Sequence, residues 1–353
     1  MCKKPKTYDN LLNFSALSAY RNAIYGVAAL WIVLFHYTDM SKARAASVPK
    51  LSFIYETLQM GNIGVDIFFF LSGVGLYYSF VKDHRVLRFY YKRIVRVMIP
   101  YLLLTLPYMT YLLIEGSVRI GEYLQSAATI SFWTGAAKRM NLWYVPVALA
   151  FYLIYPLICK FLFSREKGAL ARCLILAGVS VAAAFLAWYF LDNSLYTRFD
   201  KMLPRLTVFL LGCYFGKQVK EKKAFSAWVL FIGFAILLFA YPMYVRGMIS
   251  NPLLRRYYGS LTGIMLVFLL SQAFELLSSI RIDRFFAFFG AFSLELYIAH
   301  IELRNWYVHS AYYGSHLHLD YALLAIAAIM IAYLASLIEK PVTRLMLKPL
   351  QRE

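Results

Sequence analysis

Read for hydropathy, the chain is a series of apolar runs separated by short polar links. The first, from Asn22 to Met40, reads NAIYGVAALWIVLFHYTDM and is long enough to cross a bilayer as a helix, which takes about 20 residues. Further runs lie at 61–81, 98–114, 143–163, 170–191, 202–216, 225–245, 257–277, 285–303 and 320–340, which makes ten with the first. The run 202–216 is short for a span, and 121–135 (GEYLQSAATISFWTG) reads as an interfacial helix. No link can house a separate soluble domain, and no internal repeat is visible. The expectation is an all-α, polytopic bundle of about ten transmembrane helices. It comprises a tail at 1–21, a membrane domain at 22–340 and a second tail at 341–353.

Composition sharpens this picture. With 61% hydrophobic and 18% aromatic residues, the chain is too apolar for a soluble domain. Lys and Arg number 37 against 18 Asp and Glu. Such an excess in a soluble protein points to nucleic acid, but here the cations fall mostly in the short links. The links expected inside hold the larger share, so the positive-inside rule places both termini in the cytoplasm. Ala43-Arg44-Ala45 resembles a signal cleavage site, but Lys42 and Arg44 crowd it, and the segment is read as retained. Four cysteines show no zinc or redox spacing. His309, His316 and His318 near Asp320 lack a defined ligand set and read as a solvated loop, so no metal is expected. Trp133, Trp143 and Trp306, near span ends, read as interfacial anchors. The reading is a multi-pass protein of the cell (inner, cytoplasmic) membrane, with lipids around it and no nucleic-acid partner.

The informative residues are those that do not belong in lipid. Ionisable groups inside a membrane are costly and usually face a protein-lined cavity. His36 lies near the end of the first run, Asp66 near the start of the second, and His300 near the end of the ninth. Under the inferred topology all three fall near the external face. Ser293, Tyr297 and His300 share one helical face. After the second run, Arg85, Arg88, Lys92 and Arg96 follow 3-4-4 spacing with Arg93 beside them, a stripe suited to phosphates. Taken singly, each has a plain reading: a headgroup anchor, a helix-start acid favoured by the dipole, or a juxtamembrane cluster facing anionic lipid. Their convergence is the argument for a site.

In order along the chain, GVAALWIVLFH, GVDIFFFLSG, KRIVRVMIP, LWYVPVALAFYLIYPLI and FGAFSLELYIAH together resemble the acyltransferase 3 family of integral-membrane acyltransferases. The resemblance implies transfer of an acyl group, usually acetyl, from cytoplasmic acyl-coenzyme A to a hydroxyl, usually of a carbohydrate, facing outside. By position, His36 matches the family's essential histidine, Arg93 and Arg96 its R-x-x-R pair, and Trp143 the tryptophan opening the fourth span. Two positions depart from the pattern. Tyr25 stands where an arginine is common, with Arg21 one turn earlier, and Ala148 stands where many members have a glutamate.

The mechanism expected from these residues has Arg93 and Arg96, supported by Arg88 and Lys92, holding the phosphates of the acyl-CoA donor. His36 acts as general base and Asp66 orients it. His300 or Tyr297 donates to the developing oxyanion, and Trp143 with Tyr144 forms a platform for the acceptor. That acceptor is expected to be a carbohydrate or a lipid-linked glycan. A separate extracytoplasmic partner fits a chain with no fused external domain. The alternative is a multi-pass transporter or flippase using His36, Asp66 and His300 as an intramembrane polar site.

Overall fold

The computed structural model describes residues 12–43, 52–136, 142–165, 167–240, 243, 248–313 and 316–351. The N-terminal basic tail through residue 11, the Arg44–Ala45 part of the cleavage-like motif and Cys2 lie outside them. Among the described residues there is no named strand, only an isolated bridge between Asn13 and Ala224. The α-helices in order are α1 (Ser15–Ala19), α2 (Arg21–Ala43), α3 (Ser52–Gln59), α4 (Ile63–Lys82), α5 (Val86–Ile114), α6 (Ile120–Ala127), α7 (Ser131–Thr134) and α8 (Tyr144–Leu162). They continue as α9 (Ala169–Phe190), α10 (Asn193–Lys220), α11 (Ala227–Ala240), α12 (Pro252–Leu276), α13 (Ile282–Gly290), α14 (Ser293–Val308) and α15 (Leu317–Leu347). A bilayer enforces this, because lipid offers backbone N–H and C=O groups no partner outside the helix itself.

Helix falls on each of the ten expected runs. By length and composition, seven described segments can cross a membrane, and α13 with α14 make an eighth only when taken together as a broken span. The other two runs differ for plain reasons. The stretch expected at 202–216 is the middle of a 28-residue helix, α10, whose first half carries Arg198, Asp200, Lys201 and Arg205. Asp192 caps it, its Oδ1 accepting from Ser194 N and Leu195 N at 2.9 Å each. The seventh run yields α11, only 14 residues long. The expected interfacial helix at 121–135 appears as two short helices, α6 and α7.

The chain divides into two compact units. The first comprises Met1–Ile32, Ser52–Lys82 and Leu157–Ala291, and the second Val33–Leu51, Asp83–Pro156 and Phe292–Glu353. Within the first, α10 packs on α4 and α9, and α12 packs on α4 and α11. Apolar side chains gain little by meeting each other instead of lipid, so close backbone approach takes over. A Cβ on Gly73 of α4 would strike the backbone of Phe209 and Cys213, and one on Gly212 of α10 would strike that of Phe70. Only glycine on both helices permits this crossing. Within the second unit, α5, α14 and α15 pack against one another, and α6 lies on α5. Pro100 and Pro107 interrupt the hydrogen-bond ladder of α5.

Candidate active site

Four predicted residues from three separate stretches meet in the second unit. The His36 ring, on α2, lies 5.2 Å from the His300 ring on α14. His300 in turn lies 5.6 Å from Tyr297, and Tyr297 lies 5.2 Å from Tyr144 at the start of α8. Tyr297 and His300 are placed by the helical face read from the sequence. Tyr144 and Tyr297 are buried, His300 is 5% exposed, and His36 is partly exposed. A line of four rings therefore runs inward from a reachable imidazole.

The hydrogen bonds define which nitrogen does what. His300 Nδ1 lies 2.9 Å from the carbonyl of Leu296. A carbonyl only accepts, so Nδ1 carries the proton and Nε2 keeps its lone pair. Neither His300 Nε2 nor His36 Nδ1 has a hydrogen-bond partner among the described residues. Buried polar atoms are nearly always satisfied, so these two ring nitrogens on adjacent imidazoles stand out.

Each imidazole needs something to hold it. Asp39, three residues on from His36, places Oδ2 3.9 Å from His36 Nδ1 and takes a 2.7 Å bond from Arg304 on α14. Asp39 and Arg304 were not singled out in the sequence, although the i, i+3 spacing of His36 and Asp39 was a readable signal. Asp66 belongs to the first unit, where its Oδ1 accepts from Ser260 Oγ at 2.7 Å and faces Arg205 Nε at 3.7 Å. Asp66 and Arg205 are both almost fully buried. Among the described residues, the carboxylate recorded beside His36 is thus Asp39, and those recorded around Asp66 belong to α10 and α12. In the same unit, Tyr25 stacks on Phe68 at 5.4 Å, and the guanidinium of Arg21 lies against Gly75 of α4.

The basic stripe forms the first turns of α5. Arg88 and Lys92 both reach Asp83, at 3.2 and 3.1 Å, and Arg85 Nε donates to it at 3.0 Å. The Arg85 guanidinium, with Lys92 beyond it, holds the Asp83 carboxyl down at about 2. Arg93 sits over the Phe89 ring at 5.6 Å and lines a cavity of about 530 Å³ together with Trp133, Pro146 and Tyr152. Arg96 is exposed. Trp143 is partly exposed just before α8, and Ala148 is buried on that helix.

The loop histidines are engaged one at a time. His318 meets the Tyr37 hydroxyl at 2.5 Å, His309 meets the Asn305 carbonyl at 2.7 Å, and Asp320 accepts from Tyr307 at 2.6 Å. Among the described residues no group of three potential ligands could hold a metal ion.

A family model described as an acyltransferase domain, that of the acyltransferase 3 family, matches residues 20–338, which takes in every candidate residue above. No curated protein and no solved structure matches the chain.

Proposed function

The chain belongs to the acyltransferase 3 family of membrane acyltransferases, and from that premise we propose that it transfers an acetyl or other short acyl group from cytoplasmic acyl-CoA to a hydroxyl of a cell-surface carbohydrate or lipid-linked glycan. The observation that carries the reading is the paired imidazoles, His36 and His300, 5.2 Å apart, with His36 Nδ1 turned toward Asp39 so that its other nitrogen is left to act as base. His36 takes the proton of the acceptor hydroxyl as its oxygen attacks the thioester carbonyl. The carbon–sulfur bond then breaks, and the leaving thiolate recovers that proton as the free thiol of coenzyme A. A base of this kind contributes about 10²–10⁴-fold.

Asp39, anchored by Arg304, is better placed by its contacts than Asp66 to hold His36 in orientation. Asp66, bound to Ser260 and facing Arg205, takes a structural role in the first unit. His300, with Nδ1 committed to Leu296, accepts at Nε2. It donates to an oxyanion only after taking up a proton, which leaves Tyr297 as the first donor to test. On the donor side, Arg93 and Arg96, with Arg88 and Lys92, bind the coenzyme A phosphates through charge-assisted bonds. The cavity that Arg93 lines supplies apolar walls for the arm bearing the thioester. Trp143 and Tyr144 receive the acceptor, Tyr144 through its contact with Tyr297.

Mass spectrometry of cell-surface glycans and glycolipids tests this. An acyl-sized increment should be present in cells making the wild type and absent with His36→Ala at equal membrane expression. Identical spectra from the two would remove the histidine-centred reaction. A transporter with the same residues would move a solute without leaving any covalent increment.

A further inference from the structure

A second cavity, of about 500 Å³, lies within the second unit and plays no part in the chemistry above. Its walls include Leu104 and Tyr111 of α5, Ile331 of α15, and Glu302, Leu303 and Trp306 of α14. With Ala299, the three α14 residues follow i, i+3, i+4 and i+7 spacing and form one face of that helix. His300 belongs to another face of the same helix. The walls are mostly apolar, with the Tyr108 and Tyr111 hydroxyls and the Trp306 indole among them, and Glu302 is their one ionisable acid. Glu302 is 6% exposed, and neither carboxylate oxygen has a hydrogen-bond partner among the described residues.

A buried carboxyl group with both oxygens unmatched is costly, and holding it as the charged carboxylate calls for a cation beside it. Inside a membrane such a group marks a ligand site or a path for ions. The setting narrows the choice. A pocket of this size with a few polar groups on an apolar wall is the usual form of a small-molecule site. An alcohol brings one O–H and satisfies one oxygen. An ammonium brings three donors and a positive charge, and it answers both oxygens and the charge. Trp306 and Tyr111, 46% and 49% exposed at the rim, offer ring faces that attract cations. Pro107, also lining the cavity, has no N–H to give the Leu103 carbonyl, so that acceptor too is turned away from its ordinary helical bond.

We propose that this cavity binds an amphiphile with a hydrocarbon chain and a cationic ammonium head, the head pairing with Glu302 and the chain lying along α5, α14 and α15.

The test uses the full chain in phosphatidylcholine nanodiscs and two photoactivatable probes of one chain length, a dodecylammonium and a dodecanol, each with a diazirine on the chain. Labelling is mapped to peptides covering 103–111 and 299–306 and normalised to α9, of which only 22% is buried within the protein. The ammonium should label these peptides at concentrations about tenfold or more below the alcohol, the preference expected of a charged hydrogen bond over a neutral one. Glu302→Gln should erase the preference while leaving alcohol labelling intact, which also shows that the cavity still forms. Leu303→Trp, which fills the space, should cut labelling by both probes. Equal labelling of the wild type by the two probes, or a preference that survives Glu302→Gln, overturns the proposal. Acyl transfer is not the readout, so this outcome and that of the glycan experiment are independent.

Discussion

The two units differ in how their buried and half-buried polar side chains are partnered. In the first, Asp66 meets Ser260 and Arg205, and Asp200 takes both Nε and NH2 of Arg256, at 3.4 and 2.8 Å. In the second, His36, His300 and Glu302 keep nitrogen or oxygen atoms with no hydrogen-bond partner among the described residues. A buried ion pair whose members serve each other adds little net energy, but removing one member strands the other at large cost. A buried group left unserved is a cost already incurred, and such groups concentrate where a ligand will complete them. By this measure the second unit is where the candidate chemistry concentrates, although Arg205 Nε in the first unit also makes no hydrogen bond among the described residues.

The comparison breaks most sharply at His36. His36→Ala should lower acyl transfer per molecule by about 10²–10⁴-fold with little change in thermal stability. A loss shared equally with melting temperature would return His36 to a packing role. Next comes Asp66→Ala, which strands Arg205 and should cost about 3–5 kcal/mol of stability. Thermal unfolding in detergent should register this, while the rate per folded molecule stays near wild type. Asp39→Asn should do the reverse, slowing transfer by about 10–100-fold and leaving the melt unmoved. If Asp66→Ala slows the folded protein and Asp39→Asn does not, the roles given to these acids exchange. Arg93→Ala or Arg96→Ala should raise KM for acyl-CoA by about tenfold or more each, with kcat less affected. Unchanged donor affinity in both would remove the stripe from the donor site.

The smallest effect belongs to Asp83. Its folded carboxyl is held at about 2, below its ordinary value, so its contribution is complete above that ordinary value and fades only as pH falls toward about 2. Donor affinity should therefore show no Asp83 titration between pH 5 and pH 8. Asp83→Asn should tighten donor binding by about two- to fivefold, because it removes an anion that competes for Arg88 and Lys92. A weaker donor would mean that Asp83 positions the cations.

Much of this was legible in advance, for reasons that can be named. The ten runs were visible because a bilayer demands long apolar helices. Tyr297 and His300 were visible as neighbours because helical spacing places them on one face, and His36 stood out as a candidate because lipid tolerates few imidazoles. What hid were partnerships across the chain. Arg205 lies in the short run 202–216 without any partner being readable for it, yet it is buried on α10 facing Asp66. Hydropathy counts a paired charge like a solvated one, so it also cut α10 short. Asp39 was overlooked because its anchor, Arg304, lies 265 residues away in sequence. Glu302, an acid inside the run 285–303, was a signal left unread, and that its oxygens have no hydrogen-bond partner among the described residues shows only in the structure.

The resident acid on the stripe has one more consequence. A row of bare cations at a membrane surface sticks to anionic headgroups, and that adhesion weakens as salt screens it. With Asp83 lying across Arg85, Arg88 and Lys92, the row carries its own counter-ion and presents a smaller field to the lipid around it. Attraction of the donor should therefore depend on ionic strength as if fewer cations were there than the sequence counts. Arg93 and Arg96, which are not among the cations recorded on Asp83, should set the slope.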